Sequence, residues 1–477
     1  MNIILVQAPS WTTSTPPYSL ALLKAVCEEQ GHKARCLDLN IRFYRYLLEK
    51  GQAGIYDNPT NWYSDEYVSH IIREHGDFID LCVREILRAT CGLIGFTVTG
   101  LNKFFSEEIA KRIKTKNKDI LIIFGGPHCF KTELGEVLLH NNPDVDAVCC
   151  LEGEKALPRI LEMAVKEGRI GPFPGIASRG EDGRVLSCED ADLIEDLDSL
   201  PFADYSDFDM LEYGFKELPI SISRGCIYRC SFCSESRIWK KYRFRSAENI
   251  FKEIEFQLTR YPFIKSFFFS GSLINGNIEA LSGLADLLID KKVSISWGGQ
   301  ASLRKEMDEA FISRMRRAGL SHVSYGLESA SPAILERMSK AFTVEAAERI
   351  IRQTKGAGIR TDVNIVVGYP GETEDDIAMT ADFLSRNRRF IDEIYYHPLV
   401  IMRGSYLYMH KDELGIRFDN EFNPNDWYST NEENTLEKRL ETVAFFKRHI
   451  GRKGRSFFTS AQYQQFIKER TSIRRTP

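Results

Sequence analysis

Three cysteines that lie close together are the residues whose spacing suggests chemistry. Cys226, Cys230 and Cys233 follow the pattern CxxxCxxC. In a chain with 11 cysteines among 477 residues, chance would produce this spacing only about 0.006 times. Thiolates bind zinc and iron, but a structural zinc site normally takes a fourth Cys or His, and the nearest histidines are His140 and His322. Three ligands and one open position favour an iron–sulfur cubane, with zinc or unliganded thiols as the alternative.

The other eight cysteines show no such grouping. They are scattered, mostly among apolar residues: Cys27, Cys36, Cys82, Cys91, Cys129, Cys149, Cys150 and Cys188. We predict that they are small buried hydrophobic residues and form no disulfides. The N-terminus lacks the basic start of a signal peptide, and no run of 18 apolar residues occurs. We therefore expect a cytoplasmic protein whose thiols stay reduced.

Composition describes an ordinary globular protein. Apolar residues make up 43% and charged residues 27%, and the formal net charge is −4. This balance gives no general attraction to nucleic acid or to an anionic membrane, so we expect neither as a partner. The locally basic stretch 451–477 is predicted to be a solvated helix and tail. A chain of this length is expected to form two or three domains.

The elements that must position these residues fall into two alternating blocks. In residues 1–165, short apolar segments alternate with helical ones; the predicted strands are 3–6, 35–39, 93–98, 120–124 and 147–151. This pattern predicts an α/β domain with a doubly wound parallel sheet (Rossmann-like), which binds ligands at the carboxyl ends of its strands. A dinucleotide site would need a glycine-rich turn after the first strand. Residues 7–17 contain no glycine, which excludes it.

The second block follows a predicted linker, 166–217, that holds a small hairpin with its turn at Asp182 and Gly183. Residues 218–402 give six candidate strands: 218–223, 266–270, 293–297, 322–325, 362–367 and 393–400. Helical stretches separate them, one of them beginning at a Ser246 N-cap. Six such units predict a partial (β/α)6 barrel of the TIM type, followed by a mixed C-terminal extension, 403–477. Cys226 comes directly after the first of these strands.

A CxxxCxxC loop after the first strand of a six-stranded partial barrel resembles the radical S-adenosylmethionine (SAM) superfamily, here over roughly residues 215–405. The resemblance implies that the three cysteines hold a [4Fe–4S] cluster whose free iron binds SAM, and that reductive cleavage of SAM releases a 5′-deoxyadenosyl radical. It implies these SAM-binding residues: Phe232, Ser270, Gly271, Ser272, Glu328, Ser329, Val366 and Gly368.

Two of these positions have alternatives. The family commonly has a Gly-Gly-Glu run after the second strand, but here residues 270–276 read Ser-Gly-Ser-Leu-Ile-Asn-Gly and contain no acid. In the family this run contacts the ammonium group of SAM, and backbone carbonyls or Ser272 are expected to make that contact here. Glu328 is otherwise explained as an acid at a helix N-terminus near Ser329.

The N-terminal block resembles the cobalamin-binding domain of cobalamin-dependent radical SAM enzymes. The resemblance implies cobalamin-binding residues in its strand-end loops: Ala8, Pro9, Ser10, Asn40, Thr97, Thr99, Gly125, Gly126, Pro127, His128, Glu152, Gly153 and Glu154. Corrinoid domains of the methyltransferase type carry Asp-x-His-x-x-Gly after the first strand, and its histidine is the lower ligand of cobalt. That motif is missing here, because no histidine precedes His32. Either the domain binds a corrinoid without a protein imidazole on cobalt, or it has lost the corrinoid. His128 is explained more simply as a cap of a loop or helix than as a cobalt ligand.

Three functions remain open at this point. The first is a cobalamin-dependent methylase acting on an unactivated carbon of a small molecule or peptide, with flavodoxin or ferredoxin as one-electron reductant. The second is a cyclase or rearrangement enzyme with the same cofactors, and the third is a non-catalytic iron–sulfur and corrinoid carrier or sensor. Candidate residues of the substrate cavity are Gln300, Arg304, Tyr396, His397 and Arg403. Trp427 and Tyr428 are candidates for covering the barrel mouth, and Trp297 fits either the cavity or the core.

Overall fold

The computed structural model describes residues 1–456 except 90, 130–131, 188, 190, 215–216, 422 and 451–454. The chain forms two compact units, Met1–Ile220 and Ser221–Pro477. Cys188, and most of the basic stretch 451–477, lie outside the described residues. In the described part of the chain, no helix is both long enough and apolar enough to cross a membrane.

The first unit is built on one sheet. Its strands are β1 (Asn2–Gln7), β2 (Lys33–Asp38), β3 (Leu93–Thr97), β4 (Leu121–Gly125), β5 (Ala147–Cys149), β6 (Ile176–Arg179) and β7 (Val185–Leu186). Its helices are α1 (Tyr18–Glu29), α2 (Leu39–Glu49), α3 (Asp65–Glu74), α4 (Gly76–Arg88), α5 (Lys103–Lys116), α6 (Thr132–Asn141) and α7 (Gly153–Glu167).

The strand order in this sheet is β2-β1-β3-β4-β5-β6-β7. The pairs from β2 to β5 are parallel, and β6 and β7 extend the sheet as an antiparallel hairpin. The strand order reverses between β1 and β3, which is where doubly wound sheets open a crevice for a ligand. The doubly wound prediction is confirmed. The hairpin turn is also where the sequence indicates it, because Gly183 has a φ of 78°.

The second part of the chain, from residue 217 onward, contains a second sheet and two small ribbons. Its strands are β8 (Glu217–Ser221), β9 (Ser223–Arg224), β10 (Arg243–Phe244), β11 (Ser266–Ser270), β12 (Ser296–Ala301), β13 (Leu320–Glu328), β14 (Arg360–Val367), β15 (Glu393–Pro398), β16 (Ile416–Phe418), β17 (Trp427–Ser429) and β18 (Arg455–Ser456). Its helices are α8 (Glu235–Ile238), α9 (Ala247–Arg260), α10 (Ile278–Asp290), α11 (Glu309–Arg317), α12 (Pro332–Arg337), α13 (Val344–Gly356), α14 (Glu374–Asn387), α15 (Tyr406–Met409) and α16 (Leu436–Ile450).

This sheet has the order β8-β11-β12-β13-β14-β15-β18. Each of the six predicted strands has a counterpart in this sheet, although one is displaced along the chain, and β18 adds a seventh that pairs in parallel with β15. The predicted N-cap is confirmed, since the Ser246 hydroxyl accepts a hydrogen bond from the amide of Asn249 at 3.1 Å.

One predicted strand is misplaced. The prediction of 293–297 is wrong because β12 begins at Ser296 and continues to Ala301 through two glycines. A Cβ on Gly298 would lie 2.4 Å from the carbonyl oxygen of His322, and one on Gly299 would lie 2.6 Å from that of Phe269. The backbones approach too closely for side chains, so this strand lacks the β-branched residues by which strands are recognised.

Two tryptophans and the scattered cysteines belong to the packing. Trp297 stacks on Phe269 and donates its indole N–H to the carbonyl of Ala318 at 2.8 Å. Trp427 is buried and donates to the carbonyl of Leu399 at 2.7 Å. The prediction that the scattered cysteines are buried is confirmed for those that are described: Cys27, Cys36, Cys82, Cys91, Cys129, Cys149 and Cys150.

Candidate active site

The second unit contains a cavity of about 550 Å³ at the carboxyl ends of its strands. The predicted residues that line it are Cys226, Cys230, Phe232, Cys233, Gly271, Ser272, Gln300, Glu328 and His397. The loops that follow parallel strands lie at one end of a barrel, so residues as far apart in sequence as Cys226 and His397 meet there. The cavity combines thiols, charged groups and an aromatic ring.

The cysteine loop is held by a glycine and a serine. Gly225 has a φ of 79°, and a Cβ there would lie 2.6 Å from the carbonyl oxygen of Lys241, so the turn before Cys226 needs glycine. Inside the loop, the Ser231 hydroxyl donates to the carbonyl of Arg337 at 3.0 Å and lies 2.8 Å from the Tyr369 hydroxyl. These contacts tie the loop to the segments that follow β13 and β14.

Burial raises the pKa of all three thiols, and that of Cys233 to about 12. The thiols are therefore protonated until a metal or another positive charge stabilises the thiolates. No three His, Cys, Asp or Glu side chains converge on one metal ion in the described part of the chain. In an iron–sulfur cubane each cysteine binds a different iron atom, so the donor set and its spread around the cavity fit that group.

An ion pair lies beside the cysteines. The Lys340 ammonium is 3.1 Å from Glu328 Oε1, and both side chains are largely buried. Burial lowers the pKa of Lys340, but Glu328 and the nearby cysteines outweigh it, and the net shift is upward. The ammonium also lies 5.8 Å from the centre of the Phe232 ring. Lys340 thus stays positively charged beside the cysteine loop.

A chain of hydrogen bonds crosses the strand ends on the other side of the cavity. His397 Nε2 is 3.0 Å from Asn364 Oδ1, and the Asn364 amide donates to Ser324 Oγ at 2.9 Å. Burial lowers the pKa of His397, although the charge of Glu328 opposes this. The imidazole is therefore neutral at pH 7, and because Nε2 donates to Asn364, Nδ1 is its acceptor nitrogen.

Four of the residues expected to bind SAM do not line the cavity. Ser270 ends β11, and the Ser329 hydroxyl lies 3.2 Å from that of Thr380. Val366 packs in an apolar cluster. Gly368 has a φ of 82° and donates its amide to Glu372 at 2.7 Å.

Three candidate substrate residues also lie outside the cavity lining. Arg304 donates to the carbonyls of Asn275 and Gly276 at 2.9 and 2.7 Å. Tyr396 is buried and stacks on Phe446. The guanidinium of Arg403 bonds to Tyr408 and Glu421, and Tyr428 lies in β17.

In the first unit, the residues expected to bind cobalamin lie at the carboxyl edge of the parallel strands. Asn102 joins two of these loops: its Oδ1 accepts from the amide of Thr99 at 2.7 Å, and its amide donates to the carbonyls of Thr97 and Ala8 at 2.9 and 3.4 Å. Asn40, after β2, is buried and accepts from the Trp11 amide at 2.8 Å. Pro9 and Ser10 are buried in the loop after β1.

The loops after β4 and β5 complete this edge. Gly126 has a φ of 96°, and the amide of His128 donates to the carbonyl of Val98 at 3.0 Å. Burial, followed by the charge of Lys103, lowers the pKa of His128 to about 4, so its imidazole is neutral. The remaining residues of the set are Gly125 at the end of β4, the exposed Pro127, the buried Glu152, whose carboxylate accepts from the Ile194 amide, and Gly153 and Glu154 in the first turn of α7.

The family model of the radical SAM superfamily matches residues 220–384. Residues 220–384 are thus similar to a radical SAM domain. The matched domain contains the three cysteines and the ends of β11 to β14, so the cavity is the candidate active site of the radical SAM domain.

Relatives and solved structures resemble more than this domain. An uncharacterized methyltransferase of Pyrococcus horikoshii is 25% identical over 81% of this chain and 78% of its own. An anaerobic magnesium-protoporphyrin IX monomethyl ester cyclase of Rubrivivax gelatinosus is 28% identical over 60% of this chain, which spans only 53% of that relative. The structure of the radical SAM methyltransferase TsrM of Kitasatospora setae, with cobalamin and a [4Fe–4S] cluster bound, is similar with a TM-score of 0.71 at 18% identity, covering 95% of this chain and 90% of that one. This similarity confirms the fold of both units.

Sequence reasoning missed several residues of the radical SAM cavity, notably Glu235, Ser324, Lys340 and Asn364. Glu235 and Lys340 could have been suspected, because each follows a recognised motif within 12 residues. Ser324 and Asn364 lie in strands, where a polar residue gives no sign of the face it occupies.

Proposed function

We propose that this protein is a cobalamin-dependent radical SAM methylase that acts on an unactivated carbon. The observation that carries the proposal is the cavity of the second unit, in which the three cysteines, the Glu328–Lys340 pair and the His397–Asn364–Ser324 chain meet. Names of relatives support methyl transfer, and the TsrM structure, with cobalamin bound, supports a corrinoid in a chain of this fold.

In the proposed enzyme, Cys226, Cys230 and Cys233 hold the [4Fe–4S] cluster. When bound, the cluster supplies one electron for reductive cleavage of SAM, and the corrinoid supplies the methyl group. Phe232 and Lys340 form one wall of the SAM site, and Gly271 leaves room for the cofactor where a side chain would collide with Ser223. These residues bind and orient SAM and keep water away from it.

Gln300, Ser324 and His397 are proposed to contact the substrate. They line the cavity on strands β12, β13 and β15. His397, held through Nε2 by Asn364, is proposed to face a polar group of a small molecule or peptide.

The carboxyl edge of the first unit's sheet is the proposed cobalamin site. Its loops end in small or hydrogen-bonded residues that permit close approach of a large ligand, as at Gly126 and Asn40. No histidine follows β1 where the methyltransferase-type motif places its cobalt ligand, so we propose a corrinoid without a protein imidazole. A one-electron reductant such as flavodoxin or ferredoxin and a cytoplasmic location complete the proposal.

The test is anaerobic reconstitution with iron, sulfide and hydroxocobalamin, followed by incubation with methyl-labelled SAM and candidate substrates. We expect corrinoid absorbance equal to one per chain, and production of S-adenosylhomocysteine, 5′-deoxyadenosine and a labelled product. Formation of 5′-deoxyadenosine with neither S-adenosylhomocysteine nor labelled product would contradict a methylase.

A second function, cyclisation without net methyl transfer, is favoured by the 28% identity to the anaerobic cyclase. The same experiment separates it from the first, because a cyclase product carries no label from the methyl group of SAM.

A further inference from the structure

The cysteine loop, residues 226–233, is tethered to the rest of the barrel at Ser231. The amide of Ser231 donates to the carbonyl of Met338 at 3.1 Å, and its carbonyl accepts from the amide of Leu407 at 3.1 Å. Its hydroxyl donates to the carbonyl of Arg337 at 3.0 Å. In the described part of the chain, the other residues of this loop hydrogen-bond only to one another or to the start of α8. Ser231 therefore determines where the second half of the loop lies.

The hydroxyl of Tyr369, in the loop after β14, completes this tether. It donates to the same carbonyl of Arg337 at 2.8 Å and lies 2.8 Å from Ser231 Oγ. The three oxygens form a closed group in which two hydroxyl hydrogens serve three contacts. Tyr369 is 4% exposed and Ser231 is 5% exposed, so water does not compete for these hydrogen bonds.

The tether controls two residues of the cavity. Cys230 and Phe232, the neighbours of Ser231 in sequence, both line it. A displacement of Ser231 would move both of them, because consecutive Cα atoms are held at a fixed distance of about 3.8 Å. The ring of Tyr369 belongs to a buried apolar cluster against which Phe232 packs, so the ring itself is held by packing. The hydroxyl of Tyr369 is thus a fixed point from which the loop is held.

We propose that Tyr369 is a positioning residue for the iron–sulfur cluster: through Ser231, its hydroxyl fixes Cys230 and Phe232. This inference rests on the proposed function, because it requires a cluster on the three cysteines. The position of a ligand's sulfur sets the geometry of its bond to iron, and residues that orient the ligands tune a metal site. A loop without this tether would adopt several positions and release iron faster.

The test compares Y369F with Y325F in the reconstituted full chain. Y369F keeps the packed ring and removes one hydroxyl. Y325F is the matched control, because the hydroxyl of Tyr325 in β13 is also buried and lies 2.9 Å from that of Thr354. A ferrous chelator should remove iron from Y369F about 3- to 10-fold faster than from the parent, the factor expected for one hydrogen bond. For Y325F the rate should stay within roughly 2-fold of the parent.

Three further measurements separate positioning from a general loss of stability. The electron paramagnetic resonance spectrum of the reduced cluster should shift in Y369F but not in Y325F, because only Y369F alters the contacts of the cysteine loop. Denaturant unfolding of the cluster-free chains should show similar stability for both variants. The double variant S231A/Y369F should lose iron less than about 2-fold faster than S231A, because Tyr369 acts through the serine.

The outcomes are distinguishable. A Y369F protein with the iron-loss rate and the spectrum of Y325F overturns the role of Tyr369 and leaves the proposed function standing. A double variant whose rate is the full product of the two single effects overturns it as well. If S231A takes up no cluster, the comparison of Y369F with Y325F decides. A parent chain that takes up no four-iron cluster contradicts the proposed function itself.

Discussion

The two sheets of this protein use their carboxyl edges differently. In the second unit, side chains from the cysteine loop and from β12 to β15 point charged and polar groups into one cavity. In the first unit, polar groups at the corresponding edge, such as those of Asn40 and Asn102, bond to the backbone of neighbouring loops. The barrel contributes charged and polar side chains to its cavity, whereas in the doubly wound sheet such side chains hold the backbone of the loops in place. A site that works through side chains and one that works through shape should respond differently to substitution.

The largest effect is expected from the cysteine loop. C230A should abolish cluster binding and SAM cleavage, because a cubane with only two cysteine ligands is not retained. The matched variant in the other sheet is C149A, at a buried cysteine of β5 that is expected only to pack. Iron content and 5′-deoxyadenosine formation measure both, and comparable iron loss in C149A would remove the contrast between the sheets.

The ion pair in the cavity should come next. K340M leaves the carboxylate of Glu328 buried without its partner, and should reduce the free energy of unfolding by about 3 kcal/mol. The double variant K340M/E328Q should recover most of that stability, because no unpaired charge remains. Denaturant unfolding measures the free energy. A double variant no more stable than K340M would show that the pair is not the source of the loss.

Asn102 tests the shape of the first unit. N102A removes an acceptor from the Thr99 amide and a donor from two carbonyls, which should cost about 1–3 kcal/mol. We expect weaker corrinoid uptake at unchanged iron content. N102D, which keeps the acceptor, should recover part of the loss. A variant with normal corrinoid uptake would show that this edge does not depend on the loop contacts.

The last prediction concerns pH, and in each unit a carboxyl with a raised pKa reports it. Burial raises the pKa of Asp38 to about 6 and that of Glu372 to about 7. An acid with a raised pKa in the folded state stabilises the fold below its unfolded pKa, and this stability is lost as pH rises through the folded pKa. Between about pH 4 and 7 the ionisation of each carboxyl should therefore lower the free energy of unfolding by roughly 3 kcal/mol.

D38N and E372Q are the matched variants for this dependence. Each should flatten the pH dependence of the unfolding free energy and leave the stability at low pH nearly unchanged. Unfolding curves at several pH values measure both. A slope that survives in the double variant would assign the dependence to other groups.

Local sequence determined the reactive loop. The spacing of Cys226, Cys230 and Cys233, the Ser246 N-cap and the alternation of apolar segments are short-range features. They therefore predicted a cysteine donor set and identified the order of elements and both sheets. The position of β12 was not predicted correctly, because Gly298 and Gly299 are required by the close approach of neighbouring backbones. That approach is a tertiary constraint, which local sequence does not reveal.

Only the tertiary structure decided which polar residues share the cavity. Glu235 and Ser272 meet across two loops, Lys340 reaches Glu328 from beyond α12, and His397 reaches Asn364 from the next strand. The sequence marked Arg304, Tyr396 and Arg403 as equally plausible, but these side chains find partners elsewhere. A strand places alternate residues on opposite faces, and a loop residue's direction depends on what it packs against, so residue type and spacing alone cannot select the side chains that converge.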